Sequence, residues 1–192
     1  MEIHQFIILS LFGIMAIQML GFSVFLRVNK LSVRGESAIN SILYITGKVA
    51  MALTWLALCL QATGKVDILL FTRSVILTNS AVILLSLGIV IQLIAYFYLG
   101  KDLKFGIPTT QEKEQARLKV TGLYRFSRNP MYVGFYLMVL SASLYVLNPI
   151  VWILSAYTFF VHHTIILGEE KFLKQQFGTQ WDNYVKKTRR YI

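Results

Sequence analysis

The sequence predicts an all-α integral membrane protein of about five transmembrane helices, with a C-terminal helical hairpin followed by an amphipathic interfacial helix. Composition is the first ground for this reading. Of the 192 residues, 56% are hydrophobic and 15% charged, against about 25% charged in a soluble domain. Patterning is the second. Apolar runs near the roughly 20 residues that cross a bilayer as a helix recur along the chain, and basic segments separate them. The length suits a single domain.

Residues 5–28 form the first expected span. It begins close to Met1 without a basic leader or an obvious cleavage site, and is read as a retained span. A basic loop with Arg27, Lys30 and Arg34 follows. Residues 41–62 and 75–99 form the second and third spans, joined by a short linker. A long polar segment, 100–129, leads to spans at 130–147 and 150–168. Asn148-Pro149 between these two is a turn signal, and so short a connection makes them an antiparallel hairpin. The organisation read from this is 1–100 as three N-terminal spans and 101–192 as loop, hairpin and C-terminal helix carrying the chemistry. In that final helix, at 100° per residue, Leu173, Tyr184, Phe177, Trp181 and Val185 share an arc of roughly 120°. This is an aromatic face suited to the membrane interface, or to closing a site against the hairpin.

The net charge of +10 suits a membrane surface, and no nucleic-acid-binding motif accompanies it. With the amino terminus outside, sixteen lysines and arginines fall on the inner side: three in the first loop, seven in the long segment (Lys101, Lys104, Lys113, Arg117, Lys119, Arg125, Arg128) and six in the tail. Lys65 and Arg73 fall outside, and Lys48 lies within the second span. This bias orients the chain and puts the long loop, the tail and any active site on the cytoplasmic side. The single cysteine, Cys59, excludes an internal disulfide and a cysteine-based zinc site.

Polar chemistry concentrates at the mouth of the fourth span, in YRFSRNPMYVGF (124–135). Asn129-Pro130 reads as an N-cap followed by the favoured first helical residue. That leaves Arg125, Arg128, Tyr124 and Tyr132 unexplained. Glu169 and Glu170 read as the start of the tail helix, where carboxylates complement the dipole by about 0.3–1 kcal/mol, or as holders of a cation. Being one residue apart, at most one faces a given group. Lys48, His162 and His163 are left without a role. The fingerprints GxGxxG, Walker loop, HExxH and GxSxG are absent.

Taken in order, LKVTGLYRFSRNPMYVGF, a hairpin turning at NP, paired glutamates, L-x-x-x-F-G and a late aromatic resemble the isoprenylcysteine carboxyl methyltransferase family and the related phospholipid N-methyltransferases. The resemblance covers the last 75 residues. It implies an integral-membrane enzyme that uses S-adenosylmethionine and acts on a lipophilic or lipidated acceptor among membrane lipids. Carried over by motif, the cofactor contacts are Gly122, Tyr124, Arg128, Asn129, Pro130, Tyr132, Glu169 and Glu170, with backbone contacts at Lys119 and Val120. Arg128, Glu169 and Glu170 are the residues nearest the chemistry. A glutamate would pair with the cofactor's ammonium and Arg128 would fork onto its carboxylate, while tyrosine faces would stabilise the sulfonium. The family's prenylcysteine enzymes carry histidine where this chain has Asn129, and often arginine where it has Ile165. These departures leave the cofactor reading standing and put the prenylcysteine substrate in doubt. An NADPH-dependent membrane reductase of the sterol reductase type and a non-enzymatic small membrane protein are the alternatives.

Overall fold

The computed structural model describes residues 1–28, 37–100 and 117–192. Lys30 and Arg34 of the first basic loop, and Lys101, Lys104 and Lys113 of the long one, lie outside the described residues. The described chain forms α1 (Ile3–Val28), α2 (Ser41–Ala62), α3 (Val75–Leu99), a 3-10 turn (Gly122–Arg125), α4 (Pro130–Tyr145), α5 (Pro149–Phe177) and α6 (Thr179–Val185). Four of these, α1, α2, α3 and α5, are long and apolar enough to cross a membrane, and α4 is a shorter apolar helix. The predicted fold class is the observed one.

Helix starts follow local chemistry. The Asn40 side chain accepts the Ile42 and Leu43 amides at the head of α2, and Ser74 accepts the Leu77 amide at the head of α3. Asn148 accepts the Ile150 amide, with Pro149 as the first residue of α5. These satisfy amides that a helix leaves without internal partners. The hairpin turn is tied to the 63–74 linker. Leu70 N donates to Leu147 O at 3.0 Å, Asn148 Nδ2 to Ile68 O at 2.8 Å and Arg73 Nη1 to Tyr145 O at 2.8 Å. This linker therefore covers the end of α4, which stops at 16 residues.

Lipid offers no hydrophobic drive for helices to associate, so close packing must hold them together. Here α4 packs chiefly on α3 and α5 on α2. Gly88 and Gly134 form the first crossing: a Cβ at Gly88 would lie 2.7 Å from the Gly134 carbonyl oxygen. Gly47 forms the second, where a Cβ would lie 2.3 Å from Val161 Cγ1. Two apolar clusters fill the bundle. One is centred on Leu58, Leu85, Met138 and Tyr145, the other on Tyr96, Tyr132, Phe135, Val161 and Ile165.

One boundary differs from expectation. The fifth span and the first half of the tail are a single 29-residue helix. Glu, Lys, Gln and Leu are all good helix formers, and the first breaker is Gly178, at φ 46°. Glu169 and Glu170 thus sit in a helix interior, where the helix-dipole explanation does not apply. The expected aromatic arc is split between the end of α5 (Leu173, Phe177) and α6 (Trp181, Tyr184, Val185), with Trp181 and Tyr184 buried and Val185 36% exposed.

Candidate functional site

The chain direction puts the end of α3, the start of α4, the end of α5 and the tail at one end of the bundle. Gly122 starts the approach to α4. Its φ of 61° is a conformation that favours glycine, and a Cβ there would lie 2.6 Å from Tyr98 Cε2. The 3-10 turn consequently rests on the end of α3, with Tyr98 and Tyr124 rings 6.1 Å apart and the Tyr98 and Thr121 hydroxyls hydrogen-bonded. Tyr184 Oη donates to the Tyr124 carbonyl at 2.6 Å. Burial pushes the Tyr184 phenol up to about 12 and lifts Tyr124 as well, so both remain neutral.

Residues 127–129 are crossed by the tail, which lies along them as a strap. Ser127 and Arg189 form an isolated parallel bridge, and Arg128 N donates to Arg189 O at 2.9 Å. Arg128 Nη1 donates to Thr188 O at 2.5 Å. Ser127 Oγ donates to Arg190 O at 3.3 Å. Beyond it, the Tyr191 hydroxyl meets His163 Nδ1 at 2.5 Å.

Glu170 fastens this strap. Its Oε1 accepts Arg128 Nε at 3.1 Å and Asn129 Nδ2 at 3.0 Å. Its Oε2 accepts Arg128 Nη2 at 3.3 Å, Arg190 Nε at 3.0 Å and Arg190 Nη2 at 2.9 Å. A carboxylate offers about four lone-pair sites, so five N–H donors saturate it. The side chains of Arg128 and Glu170 are only 8% and 10% exposed. Asn129 also donates to Arg190 O at 3.2 Å and makes no side-chain cap to α4. The N-cap expectation is thereby corrected: the amide is drawn to the buried carboxylate instead of its own helix.

Glu169 points elsewhere, because adjacent helical side chains diverge by about 100°. Tyr132 Oη donates to its Oε1 at 3.0 Å. The Lys48 charge, from α2, acts on it as well, and the Lys48 ammonium lies 5.3 Å from the Tyr44 ring centroid. The Tyr132 ring meets the His162 ring edge-on at 6.1 Å.

Beside the strap runs a groove of about 810 Å³ lined by Val120, Thr121, Arg125, Asn183, Tyr184 and Lys187 among others. The predicted site residues therefore fall into three groups. Arg128, Asn129 and Glu170 converge on the clasp, with Pro130 buried as the first residue of α4. Tyr132 and Glu169 face the bundle interior. Val120 lines the groove, Lys119 sits partly buried next to it, and Gly122 and Tyr124 pack on Tyr98. Sequence reasoning missed Thr188, Arg190, Tyr191 and Tyr98. The tail basics read only as surface charge, and no spacing ties them to residues some 60 positions earlier. Lys48 and His162 were singled out, but the placing of Tyr132 against both His162 and Glu169 required the helix packing.

A family model described as Phospholipid methyltransferase matches residues 76–180. The chain is 31% identical over 108 residues to the Protein-S-isoprenylcysteine O-methyltransferase of Saccharomyces cerevisiae, a match covering 55% of this chain and 44% of that protein. The chain thus spans less than half the length of the curated relative it matches. No solved structure matches it.

Proposed function

Because this chain belongs to the phospholipid methyltransferase family, we propose that it transfers a methyl group from S-adenosylmethionine to a lipophilic acceptor at the boundary of the bilayer. It is a multi-pass membrane protein, and the site belongs on the cytoplasmic side, toward which the lysines and arginines are biased. A lipid or lipidated acceptor is common to the names of the matching family and of the yeast relative.

The observation that carries this reading is the saturated clasp at Glu170 standing beside an open groove and beside Glu169, which among the described residues accepts the Tyr132 hydroxyl alone. The donor set suits the cofactor. Glu169 keeps acceptor sites beyond the one used by Tyr132, as an ammonium requires. Arg128 engages Glu170 and Thr188 through three of its five N–H groups, which leaves two for a carboxylate. Tyr98 and Tyr124 offer aromatic faces to a sulfonium. The groove lies within the roughly 300–1,000 Å³ typical of small-molecule sites, and Val120, Thr121 and Tyr184 would receive the nucleoside. When bound, S-adenosylmethionine supplies an electrophilic methyl on positively charged sulfur.

The remaining work belongs to the chain. Glu170, Arg128, Asn129 and Arg190 hold the strap over the start of α4, and so fix the wall against which the ligand is aligned. Alignment of the reacting groups is the main requirement of a displacement of this kind. Tyr132 fixes the Glu169 carboxylate by its hydrogen bond. The apolar faces of α4 and α5 keep water from the reacting atoms.

Isothermal titration of the detergent-solubilised full chain with S-adenosylhomocysteine and with NADPH tests the proposal. We expect binding of the first alone, weakened about tenfold or more in Glu169→Gln, the loss expected when a charged hydrogen bond is removed. Binding of NADPH alone, or of neither compound, would sink it.

A further inference from the structure

The end of the bundle remote from the strap carries a short segment whose backbone is closed and whose side chains are open. In residues 68–73, ILLFTR, the amides find their partners within the protein. Ile68 N donates to Gln61 Oε1 at 2.8 Å, and Leu69 N donates to Asp67 Oδ1 at 3.1 Å. Gln61 is buried at the end of α2. Its Nε2 donates to Asp67 Oδ1 at 3.3 Å, so one side chain holds both acceptors in place. The Leu70 amide and the Ile68 carbonyl are tied to the hairpin turn. Three consecutive amides outside any helix are thus satisfied without water, although a loop in water could use water for the purpose.

The apolar side chains of the same segment are exposed. Leu70 is 65% exposed, Phe71 52%, and Trp152 of α5 41%. The Phe71 and Trp152 rings stack 5.6 Å apart with 2° between their planes, so linker and helix present one apolar surface. Exposed Ile150 and Ile153 continue it along α5. Trp152 Nε1 donates to Ser143 O at 3.0 Å, so the polar edge of this ring needs no water either. A contiguous exposed apolar surface marks contact with something other than water. The length of α4 points to the same place. Its 16 residues span about 24 Å, which falls roughly 6 Å short of a hydrocarbon core of about 30 Å. The linker contacts to Tyr145 and Leu147 lie at the short end.

We propose that residues 68–73 are a re-entrant segment seated in the leaflet remote from the strap, where Leu70, Phe71 and Trp152 meet lipid acyl chains. Non-helical backbone is tolerated at membrane depth only where the protein satisfies it, and Gln61, Asp67, Leu147 and Asn148 do so here. Exposed Lys65 and Asp67 mark where the chain leaves water. At the other end the protein itself accommodates the charge of Arg73. Its Nε donates to Thr78 Oγ1 at 2.9 Å, its Nη1 donates to the Tyr145 carbonyl, and its guanidinium carbon lies 3.8 Å from the Tyr145 ring centroid. The segment completes the span that α4 leaves short. It also sets the height of α4, whose first residue, Pro130, directly follows Arg128 and Asn129 of the clasp. Seating one end of this helix in lipid therefore holds the strap at the opposite headgroup level. The seating is independent of any methyl-transfer chemistry.

The test uses the full chain in lipid nanodiscs. Its single cysteine, Cys59, is removed by Cys59→Ala, and one nitroxide label is attached in turn through Leu70→Cys, Phe71→Cys, Lys65→Cys and Leu87→Cys. Leu87, exposed midway along α3, is the lipid reference and Lys65 the water reference. Labels at Leu70 and Phe71 should collide with oxygen, which partitions into lipid, as readily as the label at Leu87. They should lose the collisions with a water-soluble nickel chelate that the label at Lys65 keeps. In the unsubstituted chain, the Ile68, Leu69 and Leu70 amides should exchange with deuterated water about tenfold or more slowly than in an unstructured chain, the factor expected from one hydrogen bond each. Nickel access at Leu70 and Phe71 equal to that at Lys65 overturns the proposal by placing the segment in water. Shielding from both reagents overturns it in favour of a protein partner on this surface. Amides that exchange at the unstructured rate overturn it whatever the labels report.

Discussion

Glu169 and Glu170 are one peptide apart, yet the clasp around the second and the cluster around the first differ in how fully their polar groups are matched. Glu170 receives five N–H donors from Arg128, Asn129 and Arg190, whereas Glu169 receives a hydroxyl from Tyr132 under the influence of Lys48. A saturated buried carboxylate has nothing left to offer a ligand, and its partners hold the tail to the bundle. Glu169, which among the described residues accepts the Tyr132 hydroxyl alone, keeps lone pairs for recognition. The comparison teaches that a doublet of identical residues can divide structure from chemistry by the 100° of rotation between helix neighbours.

The sharpest way to break this distinction is to remove one half of the clasp. Arg128→Ala leaves Glu170 with Arg190 as its cation and Asn129 as its other donor, and breaking a buried ion pair from one side costs about 3–5 kcal/mol. A large drop in the detergent melting temperature is expected, with partial recovery in Arg128→Ala/Glu170→Ala. If Glu169→Gln destabilises as much as Arg128→Ala, the division between the two glutamates fails. A smaller effect is expected at the other region. Gly47→Val forces a side chain into Val161 and, by the usual cost of overpacking, destabilises by about 1–3 kcal/mol. Because it wedges α2 from α5, it should disrupt the Lys48–Glu169 cluster selectively. Protection of the tail against limited proteolysis should be retained, and its loss would show that the two regions are not independent. The smallest effect marks the baseline for ion pairs. Lys174–Asp182, at 3.6 Å with side chains 66% and 51% exposed, should contribute at most about 1 kcal/mol, and Lys174→Ala should leave the melting temperature nearly unchanged.

Much of the fold was legible because membrane helices announce themselves by length and apolarity. Residues 41–62 and 75–99 are the observed α2 and α3, and Asn148-Pro149 turns the hairpin as expected. The site was legible in its short-range part. Tyr124, Arg128, Asn129, Tyr132 and the glutamates do gather at one end of the bundle. Local rules misled where a long-range partner outbid them. Asn129 looked like a cap, but its amide goes to Glu170 and the Arg190 carbonyl. The glutamates looked like a helix start, but no breaker precedes them and α5 runs on to Gly178. Arg190 and Thr188 gave no local signal, since their roles depend on the tail folding back. Lys48 was visible as an odd charge in a span, but its destination was set by Gly47, whose lack of a side chain matters only once α5 is beside it.

The strap has a further consequence for how the protein is made. Ser127 and the Arg190 carbonyl that it contacts are separated by 63 residues, and both helices of the hairpin lie between them. The hairpin must therefore be threaded into the bilayer before the clasp can close. Insertion and maturation become separate stages in biogenesis, with a correctly inserted but unfastened chain as the intermediate between them.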